Sequence, residues 1–275
     1  MNNQTVNNSV IFINDLADKR LGAYLNIKER DLTGRQSRFI AEGKVVLRVL
    51  LQSAQFEAES LLITENKLAG LQDILSICPT HVPVYVVSAE NMDQIAGFHV
   101  HRGVLAVGIR KTPNDINTLI NHMPKNGLML ILCGISNHDN IGSIFRNAAA
   151  FEAACVLLDE TCCDPLYRKA IRVSVGATLQ VPYAHSCQID DIVKTVAEAG
   201  INLIALSPQS TQSLYDLPVE GRTALLLGTE GEGLPNHLLS SLQTARIPMS
   251  RRFDSLNVAT ASGIALSCLS RSSFL

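Results

Sequence analysis

Tryptophan is absent from this chain, and aromatic residues make up only 5% of its 275 positions, so no platform of rings for stacking single-stranded bases is evident. No apolar run approaches the ~20 residues that a membrane span requires. Met1-Asn2-Asn3-Gln4 does not begin a secretory signal, and the expectation is a cytoplasmic protein without membrane contact. A disulfide framework is missing too. The seven cysteines are an odd number, scattered without a C-x-x-C pair, which predicts reduced thiols, and adjacent Cys162 and Cys163 read as loop residues. His99 and His101 would share one strand face, but no nearby Asp, Glu or Cys completes a ligand set, so no metal is expected. No G-x-S-x-G elbow occurs. Strong charge is lacking as well: 23 Lys and Arg against 25 Asp and Glu leave a net −2, which does not mark a general polyanion binder.

What is present is a globular composition, 47% hydrophobic and 17% charged, at a length that suits one large domain or two ordinary ones. The charge is uneven. Eight basic residues (Lys19, Arg20, Lys28, Arg30, Arg35, Arg38, Lys44 and Arg48) stand against three acids between positions 19 and 48. Such a run is either a solvated face or a local attractor of phosphates. From Asp15 to Arg110 helical and strand patterns alternate, with strands at Arg38–Ala41, Ser60–Thr64, Val82–Ser88 and Gly103–Ile109 and a helix at Lys44–Ala54 burying Val45, Val46, Val49 and Leu50. Polar Lys111–Asp115, broken by Pro113, reads as a linker. Two domains, 1–110 and 111–275, are therefore predicted. The second alternates strands (Gly127–Cys133, Ala154–Leu158, one near Gln180–Pro182, Ile201–Leu206, Thr223–Leu227, Thr244–Pro248) with helices (Gly142–Phe151, Leu166–Val175, Ile189–Ala199, Asn236–Leu242, Leu256–Ser270). Strands apolar throughout, alternating with helices, predict an α/β fold with a mainly parallel sheet covered on both faces.

Three short segments in the second half carry possible chemistry. Gly228–Gly233 follows a strand, but its glycines run G-x-x-G-x-G, the wrong order for a dinucleotide fingerprint, and no Lys-Ser or Lys-Thr follows to make a P-loop. What remains is a tight loop exposing its backbone at the carboxyl end of a strand, with Glu230 presented at the mouth. Asn140, Gly142 and Arg146 open a helix. Asn140 can be a plain cap with Arg146 on the surface, or both can face a ligand across an unusually long loop, Ser136–Asp139. Ser255 can cap the last helix, which leaves Asn257 as an unneeded polar residue in its first turn, and Ile247-Pro248-Met249 ends a strand in proline.

Taken together, the order and spacing of these segments resemble the three motifs of the SpoU/TrmH class of RNA ribose methyltransferases, within the SPOUT superfamily. Asn140, Gly142 and Arg146 match the first motif; Gly228, Glu230 and Gly233 the second; Ile247, Pro248, Met249, Ser255, Leu256, Asn257 and Val258 the third. Asp164-Pro165 through Ser174-Val175-Gly176-Ala177 is also similar to the family's pattern. Phe39–Gly43 and His101–Val107 resemble the L30e-like substrate-binding domain that often precedes the catalytic one. Three departures stand out: Glu152 where a glycine often follows the first helix, Thr229 between the second motif's Gly and Glu, and Arg251-Arg252 where many relatives carry glycine.

The resemblance implies a trefoil-knotted methyltransferase domain after a smaller L30e-like α/β domain, and a homodimer. It implies transfer of a methyl group from S-adenosylmethionine to a ribose 2′-hydroxyl of structured RNA, ribosomal rather than transfer RNA by preference. Arg146, Asn140, Glu230, Ser255 and Asn257 would be catalytic, Arg146 either as base or through an RNA phosphate. Gly228, Ile247, Met249 and Leu256 would hold the cofactor. RNA contacts are expected from Arg35, Arg38, Lys44 and Arg48 in the first domain and from Arg251 and Arg252 beside the site. The rival expectation is a non-catalytic RNA-binding or assembly protein that keeps the fold, against which the intact motif residues argue.

Overall fold

The computed structural model describes residues 10–25, 27, 37–218, 220–229, 231–250 and 252–270. Arg35, Glu230 and Arg251 lie outside the described residues. The chain divides into two compact units, one made of Met1–Thr112 with Leu166–Gln180 and the other of Pro113–Pro165 with Val181–Leu275.

The first unit is built on a mixed sheet of five strands: β1 (Val10–Phe12), β2 (Arg38–Glu42), β3 (Phe56–Thr64), β4 (Val84–Val87) and β5 (Val104–Arg110), in the order β1-β4-β3-β5-β2. β4 runs parallel to β1 and β3, while β5 is antiparallel to β3 and β2. Fully buried Leu21, Tyr24, Leu62, Met92 and Leu105 are central to its core. Helix Lys44–Gln52 buries Val46, Leu47 and Leu50, but Val45 is exposed. The expected buried face was therefore set one position too early. Helix Arg168–Val173 belongs to this unit although it follows the second unit's strands in the chain. Ala170 and Ile171 are fully buried there, Arg168 pairs with buried Glu42 at 2.8 Å, and its guanidinium lies 4.1 Å over the Phe98 ring. Ser53 Oγ donates to the Leu179 carbonyl at 3.2 Å.

The second unit carries six strands, β6 (Leu128–Leu132), β7 (Cys155–Asp159), β8 (Tyr183–Cys187), β9 (Asn202–Leu206), β10 (Thr223–Leu227) and β11 (Gln243–Ala245), in the order β11-β9-β10-β6-β7-β8. Every pair is parallel. β6, β7 and β10 are buried at all five positions, which is why they read as unbroken apolar runs. Met129, Ile131, Leu157, Ala224 and Leu226 pack on one face with helices Ile116–His122 and Ile189–Glu198. Leu130, Leu132, Val156, Leu158 and Leu225 alternate with them and point to the other face. Helices His138–Ala150 and Val258–Leu269 pack against each other.

Two strands fall elsewhere than expected. β8 begins at Tyr183, not near Gln180, because Gly176 takes a left-handed φ of 87° and the chain keeps turning through Ala177–Leu179. β11 stops at Ala245, short of Pro248. No helix among the described residues is long and apolar enough to cross a membrane.

Candidate functional site

The first motif folds differently from the simplest reading of it. Helix His138–Ala150 starts at Asn137, whose side chain accepts from the Asp139 N–H at 2.8 Å. Asn140 is thus not the cap but a residue of the first turn, 6% exposed. What looked like an overlong loop is partly that first turn. The last helix is capped in turn by Asn257, not Ser255: its Oδ1 accepts from the N–H groups of Ala259 at 3.0 Å and Thr260 at 3.2 Å. Those two bonds fix which way the amide faces, and Nδ2 is left to donate to Asn140 Oδ1 at 3.0 Å. One asparagine satisfies two orphan donors of one helix and ties its start to the start of another. Asn147 adds a second tie, donating to the Ala259 carbonyl at 2.8 Å and to Ser262 Oγ at 2.9 Å.

The second motif shapes a cavity of about 310 Å³ at the carboxyl ends of β9 and β10, within the size range of small-molecule sites. All four predicted cofactor residues, Gly228, Ile247, Met249 and Leu256, line it, and so does Ser255. A Cβ at position 228 would lie 2.4 Å from the Gly233 carbonyl carbon, so only glycine lets the loop close on itself. Thr229 Oγ1 accepts from the Gly233 N–H at 3.2 Å and locks the turn. Its methyl group also fills the space where Gly134 would carry a Cβ, 2.8 Å away, so this departure from the family pattern joins the first and second motif loops. Asn140, Arg146 and Asn257 do not line the cavity; Asn257 stands between two residues that do, Leu256 and Val258, and Arg146 is exposed six residues beyond Asn140. The sequence reading missed the turn after β9, Ser207–Gln209, which forms another wall. Its one signal was a Ser-Pro at the carboxyl end of a parallel strand, the place where open α/β sheets hold ligands.

Asp159, 4% exposed at the end of β7, was also missed. It accepts from the N–H of Gly134 at 3.1 Å, of Thr161 at 3.1 Å and of Cys162 at 3.0 Å, and from the Thr161 hydroxyl at 2.8 Å. Burial pushes its carboxyl upward, but these donors outweigh burial and hold it below the usual carboxylate range. The bond to Gly134 anchors the loop that leads into the first motif. None of the seven cysteines, all among the described residues, is in a disulfide, and burial pushes the thiols of Cys133 and Cys155 up to about 12, where they are unreactive.

Three of the first unit's residues expected to contact RNA, Arg38, Lys44 and Arg48, are engaged with carboxylates. Arg38 forms a two-pronged pair with Glu59, at 2.6 and 2.8 Å; Lys44 meets Asp73 at 2.8 Å, and Arg48 meets the same carboxylate. Lys44 first, and then Arg48, hold Asp73 below its usual range. Arg252 is exposed. His99 and His101 sit in a loop rather than on a strand, their rings 4.5 Å apart, with Asp93 2.6 Å from His99. No group of three or more His, Cys, Asp or Glu among the described residues could hold a metal.

Against this geometry, the family described as SpoU rRNA Methylase matches residues 127–267. The chain belongs to that family. An uncharacterised tRNA/rRNA methyltransferase of Mycobacterium bovis is 38% identical over 260 residues, covering 91% of this chain and 88% of the relative. A 23S rRNA (guanosine-2′-O-)-methyltransferase, RlmB, of Vibrio parahaemolyticus is 26% identical over 206 residues, 74% of this chain and 82% of its own length. The fold is similar to that of the AdoMet-bound rRNA methyltransferase of Sinorhizobium meliloti, with a TM-score of 0.80 at 22% identity over 97% of this chain and 99% of that one. As a SpoU protein the chain is an RNA methyltransferase, and its cofactor is S-adenosylmethionine.

Proposed function

We propose that this protein transfers a methyl group from S-adenosylmethionine to a ribose 2′-hydroxyl of structured RNA, ribosomal RNA in preference to transfer RNA. The observation that carries this reading is the meeting of Gly228, Ile247, Met249, Leu256 and Ser255 on one cavity, next in the chain to the Asn257–Asn140 bond. The relation to an enzyme named for guanosine 2′-O-methylation of 23S rRNA supports the ribose and the ribosomal substrate.

The cavity suits the cofactor. Ile247, Leu256, Met249 and Leu234 offer apolar walls to an adenine, and the Gly228 backbone, bare of a side chain, allows close approach. Bound there, the cofactor supplies a methyl group activated by its positive sulfur. The protein's own task is positioning, which converts an encounter of two molecules into one aligned step. Asn257 and Asn140 hold the two helix starts in register, and Ser255 donates or accepts at the mouth. Arg146 is exposed in the single chain, which supports the phosphate reading of it over the reading as a base. Its planar fork instead binds the phosphate next to the target ribose. That phosphate relays the O2′ proton to water as the oxygen attacks, a proton loss that a weak hydroxyl nucleophile needs. Glu230, with Asn140, Ser255 and Asn257, completes the proposed catalytic set.

In the same reading residues 1–110, the greater part of the first unit, are the RNA-recognition domain, and residues 111–275, of which Leu166–Gln180 belongs to the first unit, are the methyltransferase domain, a trefoil knot that pairs into a homodimer. Arg35, Arg38, Lys44, Arg48, Arg251 and Arg252 contribute phosphate contacts. The test is to map ribose methylation in RNA from cells with and without the protein, using the resistance of a 2′-O-methylated linkage to alkali. One resistant ribosomal site is expected to vanish with the protein. Methyl transfer to a base, or to no RNA, would refute the proposal.

A further inference from the structure

Phe253 is 75% exposed, the most open large hydrophobic side chain among the described residues. A single exposed apolar residue is ordinary on any surface; its setting is what calls for an explanation. The Phe253 N–H donates to the Ser250 carbonyl at 3.2 Å, and the Arg252 N–H donates to Ser250 Oγ at 3.3 Å. This turn leaves the ring in solvent beside the exposed Arg252. Both ends of the turn run into the cofactor cavity. Met249 lines it on one side, and Asp254 and Ser255 line it on the other. Two residues further on, Asn257 makes its bond to Asn140. An exposed ring and an exposed arginine are therefore carried on a turn whose two ends line the cavity.

We propose that Phe253 stacks on a nucleobase of the substrate strand, beside or on the methylated nucleotide, while Arg252 takes the adjoining phosphate. The proposal rests on the RNA ribose-methylation reading and gives that site a means of holding its substrate. A phenyl ring has no hydrogen-bonding atom, so it grips any base by its π-face and sets position without reading sequence. Stacking of a base on an aromatic side chain contributes about 1–3 kcal/mol, or roughly 5- to 150-fold in affinity. Low aromatic content hid this role, because one ring in the right place suffices.

The test separates stacking from packing and from chemistry. The full-length protein with S-adenosylmethionine is titrated with a short oligoadenylate and with an abasic strand of equal length. Wild type is expected to prefer the oligoadenylate by about tenfold. Phe253→Ala and Phe253→Leu are expected to lose that preference, Phe253→Tyr to keep it, and cofactor affinity to stay the same in all four. A Leu variant with the wild-type preference, or a wild type with none, overturns the proposal. Methyl transfer from labelled cofactor to ribosomal and transfer RNA of cells lacking the protein is then measured. A drop of about tenfold in kcat/KM for Phe253→Leu with near-normal Phe253→Tyr supports stacking, whereas equal turnover of Leu and wild type sinks it alone. If wild type methylates neither RNA, the methylation reading fails while the binding result still judges the ring.

Discussion

At Arg146 and Asp159 single side chains carry distinct duties, and each can be isolated. Arg146→Ala is expected to leave S-adenosylmethionine affinity within about twofold by calorimetry while removing most methyl transfer, since the role proposed for the guanidinium is on the RNA and not on the cofactor. Arg146→Lys should fail too, because an ammonium cannot grip a phosphate with a flat fork; near-normal turnover of the Lys variant would refute the role. Asp159 works through stability. Its folded carboxyl lies below the unfolded value, so its contribution is present above about pH 4 and is lost as the pH falls through the folded value. Asp159→Asn is expected to cost about 2 kcal/mol in urea denaturation at pH 7, the scale of hydrogen bonds to a charged group. The gap between variant and wild type should shrink below pH 4. A gap that stays constant across that range would mean the carboxylate charge is not what matters.

Helices and loops explain why the same residues were harder to place than to find. Gly228→Val is expected to weaken cofactor binding about 100-fold or more, equivalent to about 3 kcal/mol, since the new side chain would meet the Gly233 backbone rather than a movable side chain. Calorimetry showing normal affinity would contradict this account. Strand positions were legible from unbroken apolar runs: β10 falls at Thr223–Leu227 as read, because burial on both faces leaves no polar residue to blur the pattern. Helix starts were not. A run such as Ser136-Asn137-His138-Asp139-Asn140 offers several side chains able to cap, and only the backbone path selects Asn137. Asn257 was noticed as polar in the wrong place, yet its double use as cap and as donor to Asn140 depends on a helix 117 residues away in the chain. Glu152 shows the reverse. It stands where relatives often carry glycine, and it takes a left-handed φ of 52° as the first helix ends in a Schellman turn, with the Ala153 N–H donating to the Ala148 carbonyl at 2.8 Å. The fold kept the backbone bend without the residue best suited to it.

For the molecule as a whole, charge and association are the measurable consequences. Arg38, Lys44 and Arg48 already have carboxylate partners, so binding RNA there means exchanging Glu59 or Asp73 for a phosphate. Arg252→Gln is therefore expected to lower the log–log salt slope of RNA binding by about one unit, and the Gln triple variant at Arg38, Lys44 and Arg48 by less than about three. A full loss from the triple variant with none from Arg252 would make the first unit the electrostatic anchor. The homodimer is proposed from the family resemblance, and an open groove lined by Tyr215, Gly263, Ile264 and Cys268 is a surface available to a second copy. Sedimentation at micromolar concentration should give twice the chain mass, and a monomer would contradict it. The placement of Leu166–Gln180 in the first unit has a practical result of another kind. The chain crosses between the units three times, near residues 112, 165 and 180, so no single protease cut can release either unit from the other. A gene fragment ending near residue 112 would strip Glu42 of Arg168, and one starting at 113 would carry Ala170 and Ile171 with nothing to cover them. A simple fusion of one half to the other half of a relative would therefore have to rebuild the contacts that Leu166–Gln180 makes within the first unit.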